Sequence, residues 1–193
     1  MIEMCGRYVL FSDAEMQDIR DIIEEVQRKT NGEIKTGEIF PTDKAPVLTQ
    51  QQGVIVPKAI KWGYPGFNGK GVIINARAET VQEKPMFRRS LFTKRCVIPS
   101  SGFFEWSHDG KKQKYRFNLP DTGYLYMAGL YSEFDGQPCF VILTTAANSS
   151  MIGIHDRMPV VLDRDNRNRW LLDTEAVIDI LLAAPPLLLK QPI

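Results

Sequence analysis

The chain has 193 residues, 44% of them apolar and 24% charged, which suits one soluble globular domain over residues 1–193 with a sizeable core and excludes a disordered or fibrous chain. A formal charge of +1 points to no nucleic-acid partner by itself, so such a partner has to be argued from where the cations sit. The three cysteines, Cys5, Cys96 and Cys139, are odd in number and lack a Cys-x-x-Cys pair, arguing against a disulfide framework or a zinc site and for a reducing, cytoplasmic setting. The longest apolar stretch, 178–189, is broken by Asp179, Pro185 and Pro186, so neither a membrane span nor a signal peptide is expected.

In chain order, the first motif is Met4-Cys5-Gly6-Arg7-Tyr8. If Cys5 came first, it would carry a thiol and a free α-amine together. Such a 1,2-aminothiol traps aldehydes, and reference pKa values of roughly 7.7–8 for the amine and about 8.5 for the thiol put both nucleophilic forms near neutrality. Arg7–Phe11 reads as a strand. Ser12-Asp13-Ala14-Glu15 then forms a capping box before Met16, Ile19, Ile22, Ile23 and Val26 at helical spacing, a helix ending near Gly32.

From Ile34 to Gln52 the pattern is loop-like, punctuated by Phe40-Pro41 and Pro46. Val54–Trp62 reads as a strand whose Pro57 suits an edge. Trp62-Gly63-Tyr64-Pro65-Gly66-Phe67 is either a loop presenting flat rings or a cluster packed beneath it. Val72–Ile74 is a buried strand that delivers Asn75-Ala76-Arg77-Ala78-Glu79-Thr80, read either as a functional polar cluster or as a strand end with a helix cap. A short helix follows from Pro85 to Phe92, and Arg88, Arg89, Lys94 and Arg95 make the densest basic patch, either a solvated face or a phosphate contact.

Cys96–Pro99 is a strand, and Gly102-Phe103-Phe104-Glu105-Trp106 is another in which Glu105 shares a face with Phe103. On a buried face, desolvation would raise the Glu105 pKa and suit it to acid/base work; on an exposed edge it would be solvated. His108 sits in a polar turn before a strand at Lys114–Phe117, and two further strands run from Tyr124 to Phe134 and from Cys139 to Ala146. His155-Asp156-Arg157-Met158-Pro159 falls in a sharp loop, and helices are expected at 164–172 and 174–184 before an apolar tail. Many strands and few helices make the fold α+β, with antiparallel or mixed barrel-like sheets and flanking helices.

Taken together, Met4–Tyr8, Asn75–Thr80, Gly102–Trp106 and His155–Pro159 resemble the SOS-response-associated peptidase (SRAP) family. The resemblance implies a sensor of abasic sites in single-stranded DNA that crosslinks covalently through Cys5, removes the residues before it and has lyase-like activity, as part of DNA damage tolerance. It implies Cys5, Asn75, Glu105 and His155 as the catalytic set. Arg7, Arg77 and Thr144 would hold the strand, Phe40, Pro41 and Trp62 would stack on or wedge bases, and Arg88 and Arg89 add to the DNA-binding surface. No metal or organic cofactor, no membrane and a monomer bound to abasic single-stranded DNA are expected, with nucleoid association when on DNA. Here Met1-Ile2-Glu3 precede Met4, so an amide blocks the Cys5 amine unless residues 1–4 are absent or cleaved. The tail is short beside the family's usual C-terminus, which leaves the last strand open. Two rivals stand beside this reading: a Cys-His thiol hydrolase using Cys5, His155 and Glu105, and a non-covalent single-stranded DNA-binding module.

Overall fold

The computed structural model describes residues 6–11, 17–66, 69–107 and 110–193. Cys5, the capping box at 12–15, Phe67 and His108 therefore lie outside the described residues. In chain order the elements are β1 (Tyr8–Leu10), α1 (Gln17–Thr30), β2 (Gly37–Ile39), β3 (Lys44–Gln51), β4 (Val54–Trp62), β5 (Tyr64–Pro65), β6 (Val72–Ile73), β7 (Asn75–Arg77) and α2 (Pro85–Thr93). They continue with β8 (Arg95–Ser100), β9 (Gly102–Trp106), β10 (Lys114–Asn118), β11 (Leu125–Phe134), β12 (Gln137–Ala146), β13 (Arg157–Pro159), β14 (Val161–Leu162), α3 (Arg164–Leu172), α4 (Val177–Leu182) and β15 (Leu189–Pro192).

The larger sheet closes on itself. β12 pairs with β4, β4 with β3, β3 with β8, β8 with β11, and β11 returns to β12. The β12–β4 contact is parallel and the others antiparallel, so this is a mixed barrel, and closure gives each of its five strands a neighbour on both sides over part of its length. A second, five-stranded antiparallel sheet runs β15-β10-β9-β1-β2. The tail thus completes this sheet, with Leu189 to Pro192 paired to β10.

The barrel wall is apolar on both sides because its strands alternate between two cores. Ile60, Trp62, Ile98, Phe140 and Ile142 join Tyr8, Leu10, Phe103 and Phe117 of the second sheet and Ile19 and Ile23 of α1. On the other side Val97, Ala128, Val141 and Leu143 meet Phe87, Leu91, Trp170 and Ile180 from α2, α3 and α4. Spacing explains α1: Ile19, Ile23 and Val26 are buried and fall on one helical stripe. Pro85 starts α2 where a missing N–H costs nothing, and the Asp163 carboxylate caps α3 by accepting from the Asn166 N–H at 2.7 Å.

The stretch 34–52, expected to be a loop, holds β2 and β3. Its prolines are tolerated because β8 covers β3 only at Leu48 and Thr49, leaving Pro46 beside an unpaired side. Pro57 is placed likewise, since β12 meets β4 only at Lys61 and Trp62. Asn75 to Arg77 are a strand in their own right rather than the loop after one, and Val72–Ile73 instead forms a hairpin with Tyr64–Pro65.

Candidate functional site

Three strand ends converge at the C-terminal end of β12. β7 lies parallel to it, with Asn75 opposite Ile142, Ala76 opposite Leu143 and Arg77 opposite Thr144. Directly opposed residues face the same way. Since Ile142 points into the core shared with the second sheet, Asn75, Arg77 and Thr144 face that side as well. Asn75 is half-buried, Arg77 exposed and Thr144 buried. On the other side β13 pairs with β12, bringing in the chain that carries His155 and Arg157.

Trp62 sits beneath this arrangement. It is fully buried, with its ring 5.2 Å from Tyr8 and stacked 6.2 Å from Phe140, and its indole N–H donates to the Ile74 carbonyl at 3.1 Å. A ring with no exposed face offers nothing to a base, so the expected stacking role of Trp62 is corrected. Its burial instead fixes the residue before Asn75. Its backbone also anchors the Phe40-Pro41 turn, for the Thr42 N–H donates to the Trp62 carbonyl at 2.8 Å. Phe40 itself is 39% exposed and Pro41 half-buried.

Glu105 lies on β9, opposite Tyr115 and on the same face as Phe103, whose ring stacks 5.3 Å from Phe117 in the core. The carboxyl residue is 3% exposed. The close approach of β9 to β10 depends on Gly102, at φ +140, where a Cβ would stand 2.8 Å from the Phe117 carbonyl oxygen.

The outer face of the same sheet carries Arg7. Its guanidinium lies 4.4 Å from the Phe40 ring centre and 5.0 Å from that of Trp106, and it pairs with Glu38 at 3.2 Å. Lys114 donates to the other Glu38 oxygen at 2.6 Å and lies 3.8 Å over the Phe104 ring. Hydrogen bonding from Lys114, with Arg7 beside it, holds the Glu38 carboxyl below its usual range.

His155 is 9% exposed at its side chain. The backbone N–H of Arg157 donates to its Nδ1 at 3.0 Å. Because an amide always donates, a neutral imidazole that accepts this bond carries its proton on Nε2. Arg157 grips Glu79 through two bonds, 2.7 and 2.8 Å, and donates to the Thr144 carbonyl at 2.7 Å and its hydroxyl at 3.2 Å. These bonds pull the Glu79 carboxyl below its usual range. The Glu79–Arg157 pair was not expected from sequence, although Glu79 stands inside the Asn75–Thr80 motif.

The basic patch divides. Arg88 and Arg89 are exposed on α2, whereas Arg95 is buried and donates to the carbonyls of Trp170, Leu91 and Leu171 and to the Thr174 hydroxyl. Arg95 thus ties together the C-terminal turns of α2 and α3, the favoured end for a cation, and is not surface charge. Between β7 and α2 runs an apolar groove of about 510 Å³ whose lining includes Ile73, Ala76, Pro85, Met86 and Phe87 together with Asn75 and Arg77.

Cys96 and Cys139 are buried, and burial pushes both thiols up from their usual range, which makes them poor nucleophiles. Among the described residues no group of His, Cys, Asp and Glu could hold a metal ion, and no helix is long and apolar enough to cross a membrane.

The sequence pattern of the SOS response associated peptidase (SRAP) family matches residues 4–186. The chain belongs to the SRAP family. Among its relatives, the abasic site processing protein YoqW of Bacillus subtilis is 38% identical over 193 residues, covering 87% of this chain and 80% of the relative. The abasic site processing protein YedK of Escherichia coli is 29% identical over 177 residues, covering 87% and 79%. A crystal structure of a protein from Bacteroides thetaiotaomicron superposes with a TM-score of 0.79 at 25% identity, covering 98% of this chain and 92% of that one. In this SRAP chain the motif residues Asn75, Arg77 and His155, with Thr144, thus lie on or beside the end of one strand, β12, and Glu105 on the buried face of the second sheet.

Proposed function

We propose that this SRAP protein recognises abasic sites in single-stranded DNA and captures them covalently through Cys5. The observation that carries the reading is the placement of Asn75, Arg77 and Thr144 on adjoining rungs of β7 and β12, beside the His155 loop. The names of the relatives, which are abasic site processing proteins, support the substrate. With Cys96 and Cys139 buried, Cys5 is the thiol left to react.

An abasic deoxyribose opens to an aldehyde. The Cys5 α-amine condenses with it to an imine, releasing one water, and the thiolate then adds to the imine carbon as the imine nitrogen takes up a proton. The thiazolidine ring so closed is a durable adduct. Glu105, on a dry face, moves protons in sugar opening and imine formation, and Asn75 hydrogen-bonds around the ring. His155 assists strand cleavage by β-elimination, or reversal of the link. Arg77, Arg7 and Thr144 hold the strand, Phe40 and Pro41 meet a flanking base, and Arg88 and Arg89 extend the cationic surface along α2. Residues 1–4 must leave before the amine is free, so self-removal of that segment belongs to the same reading, as does a role in the SOS response.

The test is intact mass under denaturing conditions, before and after incubation with an oligonucleotide bearing one abasic site. A chain beginning at Cys5 that gains the oligonucleotide mass less one water supports the proposal. A chain beginning at Cys5 that binds but gains no mass sinks it, leaving a non-covalent binder. Cys5→Ser is expected to retain at most an imine that borohydride can trap.

A further inference from the structure

Glu79 belongs to the motif that supplies Asn75 and Arg77, yet the chemistry above gives it no task. Its carboxylate is half exposed, while the Arg157 it grips is 14% exposed, so the protein commits a nearly buried guanidinium to an open carboxylate. Three of the four bonds from this guanidinium leave one nitrogen, Nη2, which reaches Glu79, the Thr144 carbonyl and the Thr144 hydroxyl together. That saturation pins the first residue of β13 against the end of β12, where Arg157 is opposite Ala146. It thereby aims the Arg157 backbone N–H at His155 Nδ1.

A second group competes for the same nitrogen. The Asp156 carboxylate oxygen lies 3.0 Å from Nδ1, on a side chain 86% exposed. An Nδ1 that accepts from Arg157 has no proton to offer Asp156, and an Nδ1–H that donates to Asp156 cannot accept from Arg157. The two contacts therefore select opposite tautomers of the neutral ring.

We propose that Glu79 is a positioning residue that acts on His155 through Arg157, holding β13 so that the backbone N–H keeps Nδ1 unprotonated and Nε2 as the donor presented by the ring. The inference rests on the proposed role of His155, but the placement of the proton can be read without any DNA chemistry. Glu79 is thus an orienting carboxylate set apart from the reacting atoms, working through a main-chain N–H rather than by direct contact with the imidazole.

The experiment uses the full chain labelled with nitrogen-15 at histidine, of which there are only His108 and His155, assigned with His155→Gln. Ring-nitrogen shifts are compared for the unsubstituted protein, Glu79→Ala, Glu79→Gln and Glu79→Asp at a pH where both rings are neutral. The expected result is an Nε2–H ring in the unsubstituted protein, a shift of population toward Nδ1–H in Glu79→Ala, and recovery in Glu79→Asp. Melting temperatures confirm that each variant is folded. An unchanged tautomer in folded Glu79→Ala overturns the proposal, as does an Nδ1–H ring in the unsubstituted protein. Salt dependence of binding to intact single-stranded DNA supplies the second arm. If removing Glu79 steepens the slope by about one unit, Arg157 has become a phosphate ligand and Glu79 was its placeholder, which also overturns the positioning role. An unchanged slope with a shifted tautomer supports it. Failure to form the abasic adduct would bear on the proposed function and leave the tautomer result standing.

Discussion

The outer face of the five-stranded sheet and the barrel wall each hold an aromatic ring and a glutamate-bound arginine, Arg7 and an exposed Phe40 on the first, Arg157 and a buried Trp62 on the second. On the sheet, Arg7 makes one ion-pair contact at 3.2 Å with a side chain 32% exposed, and the Phe40 ring beside it is open to solvent. On the barrel, Arg157 spends its bonds on Glu79 and Thr144, and Trp62 is closed in by Tyr8 and Phe140. An aromatic ring, an arginine and a glutamate occur in both places. What differs is how many protein partners each group already has, and that decides which ones remain available to a ligand.

Substitution separates the two regions. Trp62→Ala removes a fully buried ring and is expected to cost about 3–5 kcal/mol, with roughly 2–4 °C of melting temperature lost per kcal/mol. A melting point unchanged in that variant would return Trp62 to the surface. Arg157→Ala strips donors from Glu79 and the Thr144 carbonyl and should cost about 1.5–3 kcal/mol, measured by urea unfolding. Phe40→Ala should leave the melting temperature almost unmoved and weaken single-stranded DNA binding by about 1–3 kcal/mol, the worth of one stacked base. Arg7→Ala is expected to shift stability by less than about 1 kcal/mol and to lower the salt slope of DNA binding by about one unit.

Acid sharpens the contrast further. Arg157 lowers the folded pKa of Glu79, so its contribution is present above the unfolded carboxylate value and is lost as pH falls through the folded one. The difference in unfolding free energy between the unsubstituted protein and Glu79→Gln should therefore be constant near neutrality and fall away only as pH drops below the ordinary carboxylate value. A difference that vanished already near pH 6 would contradict the pairing.

Much of the architecture was legible in the chain itself. The strand at Val54–Trp62 and the helix at Arg164–Leu172 match their expected bounds, because alternation and length identify the first and a helical run between Asp163 and Asp173 the second. Phe103 and Glu105 share a buried face as a period of two requires. The prolines of 34–52 give it a loop-like pattern, but an unpaired strand side accepts them. Arg95 was grouped with Arg88 and Arg89 by adjacency, but β8 begins at Arg95 and turns its guanidinium under α3, a placement that depends on residues 75 positions away. Trp62 and the Glu79–Arg157 pair were hidden for the same reason, since both depend on contacts between distant segments. The fold class and the face that Glu105 occupies follow from local pattern; the strand that holds Asn75 and which polar groups are already satisfied do not.

The path from β4 to β7 separates the length of a surface feature from the accuracy of the residues behind it. The Gly63 N–H donates to the Phe140 carbonyl, and the Ile142 N–H donates to the Ile74 carbonyl, so the chain leaves the edge of β12 and rejoins it almost where it left. Between those points it makes its own hairpin, closed by the Gly66 N–H on the Gly71 carbonyl. Asn75 and Arg77 are registered by their own ladder to β12 and take no alignment from the hairpin tip. A change in the length of chain between Gly66 and Gly71 is accordingly expected to leave the rungs that carry Asn75 and Arg77 at their spacing.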